Sequence, residues 1–424
     1  WKERFDLFHP ERPFYQDVGV NKESTSSIAR LVQEVSSGNN PTLFDHTMDI
    51  KPAHAAPSYA AKLVVTNQLF ALAGLGKPTQ FLQAPGVGGM FVLVRGTTLF
   101  ETLLLNLISY NDQEPETLPK STTDLPPWEC DVSEEQKHTD IPEGYVDYLT
   151  WQSRRVLLIP EADTDGSLYV RHTNYVQGRG IDTQSVRDPM LCYVKDEKRG
   201  LITVKLRQDR SVWRDCDTIF QLKGSADSSN TIPPASFHWL AKLVGRRILG
   251  RNDIFRFEVI GMLSNKASVF LWRKELMPLP VRILADPGLA ADVRTAIKSA
   301  ETAAGMISGS LFSLFQALDR PDGGTVNDKA RKQQFWDRTV PATLAYWSCL
   351  ETPFHAFITD LPFDRERALD NWHDTLRRAA ADSFDEATRH LDHSARTLKA
   401  LSIASRKFHG KLSNYFKQMK GGAP

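Results

Sequence analysis

The chain has 424 residues, of which 41% are hydrophobic and 24% charged, and a formal net charge of +1. More than one domain is expected at this length, and the near-zero charge excludes a uniformly basic nucleic-acid binder, confining any such contact to local patches. Four scattered cysteines (Cys130, Cys192, Cys216, Cys349) without a CxxC pair, and no apolar run of roughly 20 residues, exclude a disulfide scaffold, a cysteine zinc site and a membrane span. A cytoplasmic protein with reduced thiols is expected.

The opening Trp1-Lys-Glu-Arg-Phe5 does not read as a signal peptide, and with a first residue other than Met further residues upstream are an expectation. Gly74-Leu-Gly-Lys-Pro-Thr79 has a superficial likeness to a phosphate loop. It lacks the first glycine at the required spacing and puts Pro78 where Ser or Thr would meet magnesium. Gln83-Ala-Pro-Gly-Val-Gly-Gly89 is a glycine-rich turn before the apolar run Met90 to Val94. Without a Cβ, its backbone can approach a ligand and donate N–H groups to phosphates or base edges, although composition alone favours a structural turn.

The stretch from Asn111 to Pro142, with five prolines and many acids, reads as a loop. Arg155 to Ile159, Gly200 to Lys205 and Asp253 to Ile260 read as strands. Just before the last of these, Arg246, Arg247 and Arg251 form a basic cluster suited to phosphates. Just after it, Asn265 and Lys266 within Leu263-Ser-Asn-Lys-Ala-Ser268 carry donors able to reach base edges, although composition alone favours a solvated loop for the cluster and these residues.

Near residue 283 the pattern becomes helical. Four stripes recur at three- and four-residue steps: Val293 to Leu318; Phe335, Leu344, Trp347 and Leu350; Leu369 to Leu391; and Leu398, Leu401, Ala404, Phe408, Leu412 and Tyr415. Four amphipathic helices close most simply as a four-helix bundle. The expected architecture is α+β, with a mixed domain of strands and helices over residues 1–282 and an all-α four-helix bundle over residues 283–424. Pro341 falls inside the second helix, where a kink is expected. From Asp392 to Lys420 the last helix carries seven Lys and Arg against the single acid Asp392, which suits a solvated face or a nucleic-acid or partner surface equally.

No catalytic constellation emerges. The eleven histidines show no HExxH spacing, Gly-x-Ser-x-Gly is absent, and His373-Asp374 has no second cluster to complete a metal site. No catalytic residue, metal or cofactor is assigned.

Read in order, Phe8-His-Pro-Glu-Arg-Pro-Phe-Tyr-Gln16, Thr42-Leu-Phe-Asp-His-Thr47, Ala84 to Gly89, Val94-Arg-Gly96 with Glu101 to Leu107, Trp151-Gln152, Asp188-Pro189 and Ser264 to Ser268 resemble the successive landmarks of the CasA-type large subunit of the type I-E CRISPR Cascade complex. The resemblance spans nearly the whole chain. It implies a non-catalytic subunit that reads the protospacer-adjacent motif in duplex DNA and starts strand separation for R-loop formation in antiviral defence. The implied partners are guide CRISPR RNA, double-stranded target DNA, the backbone, 5′-handle-binding and small subunits, and a helicase-nuclease recruited afterwards.

By residue, it implies that Gly86, Val87, Gly88 and Gly89 approach the motif, and that Asn265 and Lys266 form a wedge in which Lys266 replaces the usual glutamine. Phe44, Asp45 and His46 meet the guide RNA's 5′ end and the motif region, and Arg179 supplies a cation to the motif. Two competing readings are a structural scaffold of an RNA–protein particle that reads no DNA, and a metal-dependent nuclease using His373-Asp374.

Overall fold

The structure, a computed structural model, describes residues 2–20, 25–32, 54–74, 80–109, 118, 121, 123–130, 141–220, 230–265, 268–319 and 328–421. It is mixed in its first part and helical in its last. Two compact units divide it. One comprises Trp1–Arg210, Ser229–Trp239 and Glu258–Leu276. The other comprises Ser211–Ser228, Leu240–Phe257 and Met277–Pro424.

In the first unit, β1 (Thr25–Ser27), β3 (Arg154–Ala162) and β4 (Leu168–Gln177) form a sheet in the order β1-β4-β3. β3 and β4 are an antiparallel hairpin whose register shifts at Ile159/Pro160, as expected where proline removes a ladder donor. Helix α1 (Pro57–Phe70) starts on a proline, whose missing N–H an N-terminus does not need. It buries Ala60, Leu63 and Val64 in a core with Ile28, Leu31, Val156, Leu158, Val170 and Tyr175.

Arg154, fully buried, donates to the Tyr175 hydroxyl (2.9 Å) and to the carbonyls of Ser153 and Leu72. A guanidinium so placed is tolerated because its donors are matched, and it fixes the chain leaving α1.

A second sheet has the order β2-β8-β9, from β2 (Phe91–Arg95), β8 (Ile254–Asn265) and β9 (Ser268–Pro280). A third pairs β5 (Tyr193–Asp196) with β6 (Gly200–Thr203) and β7 (Thr231–Ile232). Helix α2 (Leu99–Asn106) follows β2 closely. Thr98 caps it by accepting from the Glu101 amide, and buried Asn106 both donates to and accepts from the Val94 backbone. The landmark Val94 to Leu107 is therefore one clamp of helix onto strand. On its other side α2 exposes Leu99, Phe100, Leu103, Leu104 and Leu107.

Short helices α3 (Tyr145–Leu149), α4 (Cys216–Ile219), α5 (Ala235–Gly245) and α6 (Val281–Ala285) follow along the chain, and the second unit centres on α7 (Pro287–Asp319), α8 (Lys329–Ser348), α10 (Arg365–Arg389) and α11 (Ala395–Gly421), with short α9 (Glu351–Asp360) between the middle pair. Trp213, from a segment far upstream, is fully buried and packs on Phe354 (4.6 Å between centroids), Trp347 and Trp372. Trp372 donates its indole N–H to the Ala296 carbonyl, and Phe384 stacks on Phe408 at 4.3 Å.

Helix α8 continues through Pro341. Its buried residues are Phe335, Thr339, Ala342 and Tyr346, while Leu344 is 56% exposed. Of the expected stripe, Phe335 and Leu350 are buried and Trp347 packs on Trp213, so only Leu344 is turned outward; Tyr346 takes an inward position, its hydroxyl donating to the Ala300 carbonyl (3.1 Å). Leu398 of α11 is likewise exposed, and Phe416 is buried alongside Phe408 and Leu412. Among the described residues no helix is long and apolar enough to cross a membrane.

Candidate nucleic-acid interface

The glycine-rich turn is built by short internal hydrogen bonds. Gly86 N–H donates to the Leu69 carbonyl (2.8 Å), Val87 N–H to Ala84, and Gly89 N–H to Gly86. Three of the four amides are thus already used, and among the described residues only Gly88 N–H of these four lacks an acceptor. Gly88 is also the one of the four that is not fully buried, and its φ of +75° favours glycine. Val87 is no surface residue; it sits in a core with Phe70, Phe91, Leu191, Met262 and Val269. The expectation that all four residues present themselves therefore narrows to Gly88, because the other three anchor the turn.

That core also joins the turn to β8, the strand that ends at Asn265. β2, which begins two residues after Gly89, hydrogen-bonds along β8, whose last residue is Asn265. A Cβ on Gly261 of β8 would lie 2.7 Å from the Gly89 carbonyl oxygen and 2.5 Å from Leu206 Cδ1, so only glycine permits this approach. At about 3.3 Å per residue, Asn265 follows Gly261 by roughly 13 Å of strand. Lys266 lies outside the described residues, as do Phe44, Asp45, His46 and most of Gly74 to Thr79. In sequence, Lys266 directly follows the end of β8 and precedes the start of β9 by two positions.

A cation that sequence reading missed lies beside the turn. A side chain on Gly88 would begin 3.4 Å from Lys205 Cε and 3.6 Å from its Nζ, and Lys205 is exposed. These residues are remote in sequence, so no spacing signalled the pair. Nearby positive charge is partly balanced: Arg95 of β2 and Lys274 of β9 both pair with the buried Glu258 of β8, at 2.5 and 2.9 Å.

Arg179 is not at the surface. It is 7% exposed, makes a two-pronged ion pair with Asp147 (2.8 and 3.2 Å), and lies 3.5 Å over the Trp151 ring. A guanidinium held by a carboxylate and an aromatic face is a brace. Arg246, Arg247 and Arg251 are exposed and belong to the second unit. Ile248 N–H donates to Leu243 and Arg247 N–H to Val244, which ends α5 (Ala235–Gly245) in a Schellman turn with Arg247 at φ +60°.

Behind the turn, Asp188 accepts from the Tyr148 hydroxyl (2.8 Å) and the Met190 amide (2.7 Å). Burial pushes its carboxyl up to about 6 from 3.8, the two hydrogen bonds opposing only part of that rise. The bond to Met190 seats Leu191, against which Gly89 packs. His373 is buried in the bundle against Phe416 (5.8 Å), and among the described residues no three His, Cys, Asp or Glu side chains gather to hold a metal.

The family description "CRISPR-associated protein Cse1" matches residues 1–383. The chain belongs to the Cse1 family. CasA/Cse1 of Thermus thermophilus is 30% identical over 426 residues, covering 96% of this chain and 79% of that protein. The crystal structure of CasA from the same organism matches with a TM-score of 0.74 at 27% identity, covering 97% of this chain and 80% of that one. At 20% identity, Thermobifida fusca Cse1 (TM-score 0.78, 98% and 81% covered) and a chain of a CRISPR RNA-guided surveillance complex (0.69, 96% and 80%) share the fold. Within this Cse1-family chain, Asp188-Pro189 and Trp151-Gln152 act in packing, as supports of the turn and of Arg179.

Proposed function

We propose that this chain is the DNA-recognition subunit of a type I-E Cascade complex, reading a protospacer-adjacent motif and starting strand separation without itself cutting. The observation that carries this reading is the contact of Gly261 with the Gly89 carbonyl, which ties the glycine turn to the strand that leads into Asn265 and Lys266. Gly88, with no side chain, offers its amide to base edges; Lys205 beside it supplies the cation assigned from sequence to Arg179. The minor groove presents a degenerate pattern, so several motif variants are tolerated. Asn265 and Lys266 then enter beneath the motif as a wedge. Unstacking a step costs a few kcal/mol, and guide pairing supplies the remainder.

Arg246, Arg247 and Arg251 neutralise phosphates, and Phe44, Asp45 and His46 meet the guide RNA. The exposed apolar side chains of α2 and the following Leu107 suit a neighbouring subunit, since apolar side chains grouped on a surface are covered when a partner binds. Recruitment of the helicase-nuclease follows R-loop formation.

The test is binding of the reconstituted complex to duplexes with and without the motif. Gly88→Asp and Lys205→Ala each lower affinity for the motif-bearing duplex alone. Asn265→Ala with Lys266→Ala slows R-loop formation and leaves assembly intact. Unchanged motif binding in the first pair, or an unchanged opening rate in the second, refutes the corresponding role. Retained motif discrimination in a complex lacking this chain would favour the scaffold reading.

A further inference from the structure

We propose that the exposed face of α11 is a second, sequence-independent surface for duplex DNA. The helix contains no Asp or Glu, and it lies beyond residue 383, where the family match ends. Lys399, Arg406, Lys407, Lys411 and Lys417 are all exposed, and among the described residues none of them pairs with a carboxylate. At 3.6 residues per turn, Lys399, Arg406 and Lys417 fall on one line along about 27 Å of helix, with Lys407 and Lys411 to one side of it. The buried line of Phe408, Leu412 and Phe416 is on the opposite side. The neighbouring acid, Asp385 of α10, is engaged with His409 (3.5 Å), off the basic line.

The helix dipole does not account for this arrangement. Cations are favoured in the last turn of a helix and disfavoured in the first. Arg396 and Lys399 stand at the start of α11, where the dipole opposes them.

Chemistry selects the partner. A protein interface gathers aromatic and aliphatic side chains at its centre and is poor in lysine; here Ile403, and Leu398 at the start of the helix, are the exposed aliphatics among the cations. Single-stranded nucleic acid is held by stacking on exposed aromatics. Phe408 and Phe416 are buried and Tyr415 is tied to the Ser299 hydroxyl, so this face has no such platform. Exposed Ser402, Gly410 and Asn414 leave the line low between its cations. A straight row of positive charge without stacking groups fits the densest regular polyanion, a duplex backbone with one charge per about 1.7 Å of axis.

The experiment is fluorescence anisotropy of the full chain with a labelled duplex lacking any motif, across a salt titration. Replacing Lys399, Arg406, Lys407 and Lys417 together by Gln is expected to weaken binding at low salt more than tenfold. The slope of log affinity against log salt should fall by about 3 to 4, at roughly 0.9 per lost contact. Arg in place of the three lysines should retain binding, and the melting temperature should not change. Lys332→Gln, which removes an exposed cation from α8, should leave this motif-free binding intact, which separates the row on α11 from a general loss of surface charge. An unchanged slope in the Gln variant, tighter binding of a single strand of the same sequence, or stronger competition by polyglutamate than by duplex overturns the proposal.

Discussion

The helical bundle and the glycine-turn region solve opposite problems. In the bundle, long helices bury stripes at regular spacing, so each residue's place follows from its neighbours three and four positions away. Around the turn, the decisive contacts join Leu69 to Gly86, Gly89 to Gly261 and Gly88 to Lys205, and each spans a gap that no periodicity reports. Regular packing gives stability, and irregular packing exposes a few backbone and side-chain groups at defined positions. The same chain needs both, because a short turn supplies little buried area of its own.

The comparison breaks most readily at Trp213, which makes the bundle depend on a residue outside its helical repeat. Trp213→Ala should destabilise the protein by about 3–5 kcal/mol in chemical denaturation, as for other large buried aromatics. A loss below about 1 kcal/mol would mean that the helices suffice.

Next is Asp188. Its carboxyl is protonated more readily in the folded protein than in the unfolded chain, so it contributes stability below its ordinary value of 3.8 that is lost as pH rises through about 6. The loss should be on the order of 3 kcal/mol, at 1.36 kcal/mol per pKa unit. Asp188→Asn should flatten this part of the stability–pH curve, and a curve of the same shape in that variant would remove the carboxyl as its source. Arg247→Gly, at a helix end where φ is positive, should gain about 1 kcal/mol, while weakening DNA binding if the guanidinium meets phosphate. The smallest pair sharpens the reading of α8: Tyr346→Phe should cost about 1 kcal/mol for its hydrogen bond, and Leu344→Ser less than about 0.5 kcal/mol, as for a surface site.

The α+β class and the helices were legible because apolar spacing reports them directly. Within α8, Phe335 was placed correctly and Leu344 was misread, because it looked a better core residue than Tyr346. The latter's polar tip is satisfied by a carbonyl on another helix. Arg179 carried the right chemistry for DNA, and only tertiary structure brings Asp147 and Trp151 around it. Lys205 gave no local signal. The glycine turn and the Asn265 strand were recognisable as residues, whereas their adjacency depends on Gly261, a single glycine within a strand.

Where Gly261 meets Gly89 there is room for hydrogen alone, so the turn and the strand behave as two jaws of a fixed caliper. The reach from one jaw to the other is set by strand length, about 3.3 Å per residue, nearly the 3.4 Å repeat of stacked bases along one DNA strand. Under the proposed function, lengthening both strands of the hairpin by two residues should therefore move the wedge by about two base pairs and leave the motif preference of the turn unchanged.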